Sequence, residues 1–382
     1  MFVPEGFLFA GISCGIKKEN KLDLGLVYSP YNLTAWGVFT VNTIKAAPVI
    51  LGKRFIKEKE IHGVIANSGV ANACTGEEGI KRALTLLKEV AKNLKISYKS
   101  LLPASTGIIG KQLPLEKILP KISHLISNLS EQNYIQFAKA IMTTDTFPKV
   151  VSKRTEEGIT ILGIAKGAGM IAPNMATMLA FILTDAEISK DYLKKFLPKI
   201  VEQSFNRISI DGDTSTNDTV YMLCSNIKKL KNWDNFENQC LEVAKELAYF
   251  IVKDGEGTSK VIKIIIKGAQ TKNEAKILAI SVANSPLVKT AFYGGDPNWG
   301  RIFSALGKTG ISFNPEEVEI YLNGIPWVAN LKPVKDEVKI KEELRKPEIE
   351  LCMKFKKGKM SYEVLTTDLT EEYIRINAHY RS

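Results

Sequence analysis

The sequence predicts a layered protein of mixed α and β structure. Three observations lead there. Apolar runs of strand length alternate with stretches whose apolar residues recur at helical spacing. With 45% hydrophobic residues over 382 positions, the chain can bury a large core. No low-complexity linker and no short-period repeat interrupts the alternation.

Taken in order, Gly6–Ile16, Leu24–Tyr28 and Ala35–Asn42 read as short strands separated by turns, and Ile61–Asn67 as another. Ile80, Ala83, Leu84, Leu87, Ala91 and Leu94 then recur at helical spacing. Helical patterns run from Leu115 to Leu129 and from Glu131 to Met142. Strand-like runs follow at Ile159–Ala165 and Met178–Thr184. In the second half, Ser189 caps a helix reaching Glu202. Val220–Cys224 is a strand, Asn235–Val252 a helix and Val261–Ile266 a strand. Glu274–Val288 is a helix, and Val318–Tyr321 and Glu348–Phe355 are strands. The charged stretch Asn330–Lys346 reads as a surface loop with a short strand.

Composition narrows the function. The net charge is +11, but the lysines are scattered, as in Lys190, Lys194, Lys195 and Lys199, and pairs such as Lys17-Lys18 and Lys356-Lys357 are too short for a binding arm. Nucleic acid is not an expected partner. No run of about 18 uncharged apolar residues occurs, so no membrane span is expected. The start carries Glu5 and no basic leader, which argues against a secretory signal. Five cysteines, Cys14, Cys74, Cys224, Cys240 and Cys352, without a C-x-x-C pair fit buried thiols in a reducing cytoplasm. His62, His124 and His379 are isolated, and no metal site is expected.

Small and polar residues are densest in Lys166-Gly-Ala-Gly-Met-Ile-Ala-Pro-Asn-Met-Ala-Thr177. It matches neither the P-loop nor the dinucleotide loop, because Gly167-x-Gly169 is followed by Ala172, Pro173 and a strand. A tight turn between strands is one reading. The other starts from Ala176-Thr177. If the chain is cut there, Thr177 gains an α-amine of ordinary pKa about 7.7–8.0 beside its own hydroxyl. That amine takes the hydroxyl proton without any histidine. Asp211-x-Asp213-x-Ser215-x-Asn217 suggests a calcium loop but lacks its glycine and distal glutamate, and reads instead as a hydrogen-bonded turn near the active site. Cys74 has no histidine near it in sequence and reads as a buried structural thiol.

These motifs, with Ser105-Thr-Gly-Ile-Ile-Gly110, Met142-Thr-Thr-Asp-Thr146, Asp254-Gly-Glu-Gly257, Gly294-Gly-Asp-Pro-Asn-Trp-Gly300 and the terminal Ile376-Asn-Ala-His-Tyr-Arg-Ser382, resemble the glutamate N-acetyltransferase, or ornithine acetyltransferase, family from Phe2 to Ser382. One departure is Val70, in Asn67-Ser-Gly-Val70-Ala-Asn-Ala-Cys-Thr-Gly76, where the family has asparagine. The resemblance implies an α/β fold, an α+β layered sandwich of the self-processing N-terminal-threonine type. It implies cleavage between Ala176 and Thr177 into an alpha chain, 1–176, and a beta chain, 177–382, associated as a heterotetramer of two of each. Thr177 would be the nucleophile, with Thr106 and Gly107 as the oxyanion-hole pair. Lys166, Glu256, Asn377, Ser382 and one of Thr143 and Thr144 would bind substrate with Thr177. The implied reaction moves acetyl from N-acetylornithine to glutamate in the cytoplasm, without a cofactor. Some members also use acetyl-coenzyme A as donor. A self-processing aminopeptidase of related fold is the alternative.

Overall fold

The computed structural model describes residues 1–172 and 178–379. Sixteen strands lie among them. In chain order these are β1 (Leu8–Ile12), β2 (Leu24–Tyr28), β3 (Thr34–Phe39), β4 (Gly63–Asn67), β5 (Leu101–Ser105), β6 (Lys149–Arg154), β7 (Thr160–Lys166) and β8 (Leu179–Glu187). Then come β9 (Ile208–Ser209), β10 (Thr219–Lys229), β11 (Val261–Ala269), β12 (Glu319–Leu322), β13 (Ile325–Ala329), β14 (Lys332–Pro333), β15 (Glu348–Lys354) and β16 (Met360–Thr367). The chain divides into two compact units, Met1–Asn206 with Asp213–Ile251, and Arg207–Gly212 with Val252–Ser382.

The first unit holds two sheets, ordered β1-β2-β4-β5 and β3-β10-β8-β7-β6. Both contribute to one core. Leu24, Leu26, Val64 and Leu102 from the first sheet pack with Leu162, Ile164, Phe181 and Tyr221 from the second, and Leu87 and Phe137 join from helices. β7 is buried along its whole length and β8 except at its last residue, Glu187, which is why both read as continuous apolar runs. Tyr221 ties the sheets together: its ring is fully buried and its hydroxyl donates to the carbonyl of Pro103 at 3.1 Å. Burying such a ring contributes roughly 1.5–3 kcal/mol. Pro103 lacks an N–H and sits in β5, an edge strand, where that loss is tolerated.

The second unit is built on one seven-stranded mixed sheet, ordered β14-β13-β12-β15-β11-β16-β9. Ile262, Ile264 and Ile266 of β11 pack against Ala275, Leu278, Ala279 and Val282 of helix Lys272–Ala283.

Four expectations need correction. The helix expected over Leu115–Leu129 is broken into Leu115–Ile118, a 3-10 turn at Leu119–Lys121 and Ile122–Ser127, because Pro120 cannot continue the hydrogen-bond ladder. The helix expected over Glu274–Val288 ends at Ala283. Ser285 then caps a second helix, Pro286–Gly294, accepting from the amide of Val288 at 3.4 Å. The expected loop at Asn330–Lys346 contains β14 and a helix, Glu337–Leu344, started by Asp336, whose Oδ1 accepts from Val338 at 3.0 Å. Cys74 is exposed, whereas the other four cysteines are buried. It occupies a left-handed position, φ +55°, in the turn before helix Gly76–Leu94, where Asn72 and Ala73 take the inward positions. The expected cap at Ser189 is present: its Oγ accepts from Tyr192 at 3.3 Å.

Candidate active site

Two loops of the first unit are laced together. β4 ends in the turn Asn67–Gly76, and its parallel neighbour β5 ends in Ser105–Gly110. Asn67 holds both. Its backbone carbonyl accepts the Thr106 amide at 3.0 Å, its Oδ1 accepts the Ser105 hydroxyl at 2.6 Å, and its Nδ2 donates to the Val70 carbonyl at 2.8 Å. Val70 bridges to both Thr106 and Ile108. Asn217 adds a second clamp, donating from Nδ2 to the carbonyls of Ala71 at 2.6 Å and Ser105 at 2.8 Å. The lacing brings backbone so close that only glycine fits at 107. Its φ is +126°, and a Cβ there would lie 2.4 Å from the Gly69 carbonyl carbon.

This geometry decides which donors the loop offers. The Thr106 amide is occupied by Asn67, so Thr106 presents its side chain. The Gly107 amide has no acceptor among the described residues.

Lys166, the last residue of β7, is 3% exposed and is not the surface charge its type suggests. Its ammonium donates to Thr143 Oγ1 at 2.8 Å and Thr106 Oγ1 at 3.2 Å, and lies 3.9 Å from Asp145 Oδ2. Of the pair Thr143 and Thr144, Thr143 is the one that meets Lys166. Asp145 anchors this cluster. It accepts from Lys149 Nζ at 2.7 Å, from the Gly167 amide at 2.7 Å and from the Thr143 amide at 2.9 Å. Burial alone would raise its pKa, but the ammonium groups of Lys166 and Lys149 overcome it and hold the carboxyl well below the usual range. Lys17 reaches the same neighbourhood, donating to the Met142 carbonyl at 3.0 Å. Its pKa is lowered to about 8, chiefly by burial, with Asp23 and Asp145 opposing and Lys166 and Lys21 assisting.

β7 and β8 are antiparallel, with Lys166 opposite Leu179. The amide of Met178, just before β8, donates to Asp218 Oδ1 at 3.0 Å. Burial pushes the Asp218 carboxyl well above its ordinary range. Within the Asp211–Asn217 stretch expected as a hydrogen-bonded turn, the Asn217 amide donates to Ser215 Oγ at 3.0 Å and the Thr216 hydroxyl to Asn217 Oδ1 at 2.6 Å. No cluster of three histidine, cysteine or acidic side chains able to hold a metal occurs among the described residues.

In the second unit, Glu256 is 8% exposed and accepts from Asn377 Nδ2 at 2.9 Å. Two contacts bring this pair together. Thr370 caps helix Glu371–Ala378 and donates to the Gly257 carbonyl at 2.6 Å. Gly257, at φ +65°, lets the loop approach the Tyr373 amide, which a Cβ would meet at 2.4 Å.

Among known proteins, the model of the ArgJ family matches residues 8–382. The chain belongs to the ArgJ family. It is 45% identical over 399 residues to the arginine biosynthesis bifunctional protein ArgJ of Thermotoga neapolitana, covering all of both chains. It is 41% identical over 396 residues to the glutamate N-acetyltransferase of Methanocaldococcus jannaschii, covering 99% of this chain and 97% of that one. A solved chain of the arginine biosynthesis bifunctional protein ArgJ from Bacillus halodurans is 35% identical, with a TM-score of 0.50 over 52% of this chain and 97% of its own. Membership makes the chain an acyltransferase of arginine biosynthesis with the mixed α/β fold expected from sequence. No helix among the described residues is long and apolar enough to cross a membrane.

Of the site residues expected from sequence, Thr106, Gly107, Thr143 and Lys166 come together in the first unit, and Glu256 and Asn377 in the second. Thr144 makes no hydrogen bond to them. Ala176, Thr177 and Ser382 lie outside the described residues. Sequence reasoning missed Asp145, Lys149, Lys17 and the individual roles of Asn67, Asn217 and Asp218. Asp145 sits inside the Met142–Thr146 motif and could have been found there, whereas Lys17 carries no local signal.

Proposed function

We propose that the chain cuts itself between Ala176 and Thr177, and that Thr177 then carries acetyl from N-acetylornithine to glutamate. One observation carries this reading. Thr106, Gly107, Thr143 and Lys166 converge at the end of β7, and the β7–β8 connection contains Thr177.

The Thr177 amine takes the hydroxyl proton and the hydroxyl oxygen bonds to the acetyl carbonyl carbon. The resulting oxyanion receives hydrogen bonds from the Thr106 hydroxyl and the Gly107 amide. Lys166 strengthens the first of these. Its ammonium occupies an acceptor lone pair of Thr106 Oγ1, so the hydroxyl proton points elsewhere and is a better donor. Collapse breaks the acetyl C–N bond as the Thr177 ammonium returns its proton to the departing ornithine amine, and leaves an acetyl ester. The glutamate amine then attacks its carbonyl, giving its proton to the Thr177 amine, and the threonine oxygen leaves with that proton. Glu256 has one oxygen engaged by Asn377, and its other oxygen suits a substrate ammonium. Ser382 is read as a further substrate contact. The chemistry calls for no metal or organic cofactor.

The sheet supports continued association of the pieces 1–176 and 177–382. In the order β3-β10-β8-β7-β6, strands β3, β7 and β6 belong to the first piece and β10 and β8 to the second. A cut leaves the β3–β10 and β8–β7 ladders joining them. The Bacillus halodurans chain, only about half as long as this one, accords with a cut family member. Two such pairs would form the heterotetramer, in the cytoplasm.

The test is an acetyl-transfer assay with N-acetylornithine and glutamate, repeated with acetyl-coenzyme A as donor. Formation of ornithine and N-acetylglutamate supports the reading. Peptide hydrolysis without acetyl transfer would point to an aminopeptidase instead.

A further inference from the structure

The connection from β1 to β2 is fastened to the laced loops of the candidate site. Asp23, fully buried just before β2, accepts at Oδ1 from the Cys14 amide at 2.7 Å. Its Oδ2 accepts from the amides of Ile16 at 2.7 Å and Lys17 at 3.1 Å. Its backbone carbonyl accepts from the Ser68 amide at 2.9 Å, in the turn Asn67–Gly76. The backbone of Lys17 is thereby fixed, and two contacts then place its side chain. A Cβ at Gly69 would lie 3.0 Å from Lys17 Cγ, and Gly69 is the residue that a Cβ at Gly107 would strike. The Lys17 ammonium donates to the Met142 carbonyl at 3.0 Å, one peptide bond from Thr143. Lys17 thus reaches from the Gly69–Gly107 contact to the residue before Thr143, beside the cluster of Thr106, Thr143 and Lys166.

This ammonium has donors to spare. Of its three protons the described residues accept one, and none of their carboxylates forms an ion pair with it. Asp23 spends its oxygens on three amides, and Asp145 spends its own on Lys149, Gly167 and Thr143. Burial therefore dominates its pKa, lowering it to about 8, with Lys166 and Lys21 assisting and Asp23 and Asp145 opposing. Lys166 differs, because two threonine hydroxyls and Asp145 already engage it. A half-buried cation with two unspent donors at an acyl-transfer site suits an anionic group of the substrate.

The acetyl-transfer reading narrows that group. N-acetylornithine and glutamate carry opposite charges at their side-chain ends, so one fixed cation serves both only by meeting something they share. They share an α-carboxylate, one carbon from the nitrogen that loses or gains acetyl. With the acetyl oxygen before Thr106 and Gly107, that carboxylate stands only a few bonds away. We propose, resting on that reading, that Lys17 binds the α-carboxylate of donor and acceptor alike and so sets their common orientation. The carboxylate keeps its charge throughout the reaction, so the contact holds ground state and transition state equally.

The test pairs a change in the enzyme with a change in the substrate. kcat and KM are measured for N-acetylornithine and for its α-carboxamide, with glutamate as acceptor, on cleavage-checked wild type, Lys17→Gln, Lys17→Arg and Lys21→Met. Glutamine keeps an N–H for the Met142 carbonyl but loses the charge. Lys21, exposed and paired with Glu19 at 3.0 Å, controls for general electrostatics. Wild type should use the carboxamide about 10- to 100-fold less well, the range of a charge-assisted hydrogen bond. Lys17→Gln should lose a similar factor on the acid, in KM rather than kcat, and little on the carboxamide. Lys17→Arg should recover part of that loss, and Lys21→Met should match wild type. Equal losses by folded Lys17→Gln on acid and carboxamide would mean that Lys17 only props the turn, and would overturn the proposal. So would Lys17→Gln matching wild type on the acid, or a wild type indifferent between the two donors. If Lys17→Gln does not fold, Lys17→Arg decides, since its loss on the acid must exceed its loss on the carboxamide. A wild type that makes no N-acetylglutamate from N-acetylornithine overturns instead the acetyl-transfer reading on which this one stands.

Discussion

The ammonium of Lys166 donates to the hydroxyl of Thr106 at 3.2 Å, across 60 positions of sequence and with both residues buried. The contact links the end of β7 to the loop after β5. The ammonium takes a lone pair of that oxygen, so the Thr106 hydroxyl keeps its proton for an acceptor other than Lys166.

Thr106 should therefore matter for rate more than for binding, since its donor acts on charge that develops in the transition state. Thr106→Ala should lower kcat by about 10²–10³ with little change in KM. Lys166→Met should lower kcat as well, because it removes the group that polarises the hydroxyl. A rise in KM alone for Thr106→Ala would show that this residue only holds substrate. Both variants must be checked for cleavage first, as self-cleavage passes through a similar oxyanion.

Cleavage at Ala176–Thr177 should need no added protease. Intact-mass analysis of purified protein should give two chains, 1–176 and 177–382, co-eluting on gel filtration because two strand ladders join them. Thr177→Ala should leave the 42.4 kDa chain whole, having no hydroxyl to attack. A stable, active uncut wild-type chain would falsify this.

Much of this site can be seen in the sequence, for identifiable reasons. β7 and β8 are enclosed on both faces and show as apolar runs. Thr106-Gly107 and Lys166 lie in dense motifs of small and polar residues. What escaped was set by partners distant in sequence. β5 is short, and Pro103 obscures its strand character until the edge position is known. Helix Glu337–Leu344 buries only Ile340 and Leu344, too little for a helical period to emerge from its charges. Asn217 looked like a turn residue, and only the folded chain shows its amide joining Ala71 to Ser105. Lys17 looked like half of a solvated pair, and only folding takes it to Met142. Val70, which stands where the resemblance leads one to expect asparagine, keeps the backbone bridges to Thr106 and Ile108.

The Asp145 cluster should govern acid stability. The folded state holds this carboxyl below its unfolded pKa of about 3.9. Its contribution is therefore complete above that unfolded value and is lost as pH falls toward the folded one. Asp145→Asn removes the carboxylate that faces Lys149 and Lys166 in a buried place and should cost about 3–5 kcal/mol at neutral pH. Melting temperatures of the two proteins, followed downward in pH, should run parallel to about pH 5 and converge below about pH 4. A gap that stays constant to the lowest pH would show that Asp145 acts through packing rather than charge.

Kinetics should be ping-pong, through acetylated Thr177. Ornithine and glutamate both present an α-amino-acid end, so one pocket can receive them in turn only if ornithine leaves before glutamate enters. That order demands a covalent carrier for the acetyl group, and a threonine ester provides one. The two amines need the same placement against the same ester carbonyl. In the first unit Asp145 holds Lys166 and Thr143 in place. Enzyme mixed with N-acetylornithine alone should release ornithine and add one acetyl mass to the 177–382 piece. Glutamate added next should remove that mass as N-acetylglutamate. Double-reciprocal plots should be parallel when both substrates are varied. Intersecting plots, with no acetylated piece under rapid quench, would mean direct transfer in a ternary complex. Glu256→Gln should raise KM for both substrates while leaving the acetylated piece detectable, as expected of a carboxylate proposed to hold the amino acid and to take no part in forming the ester.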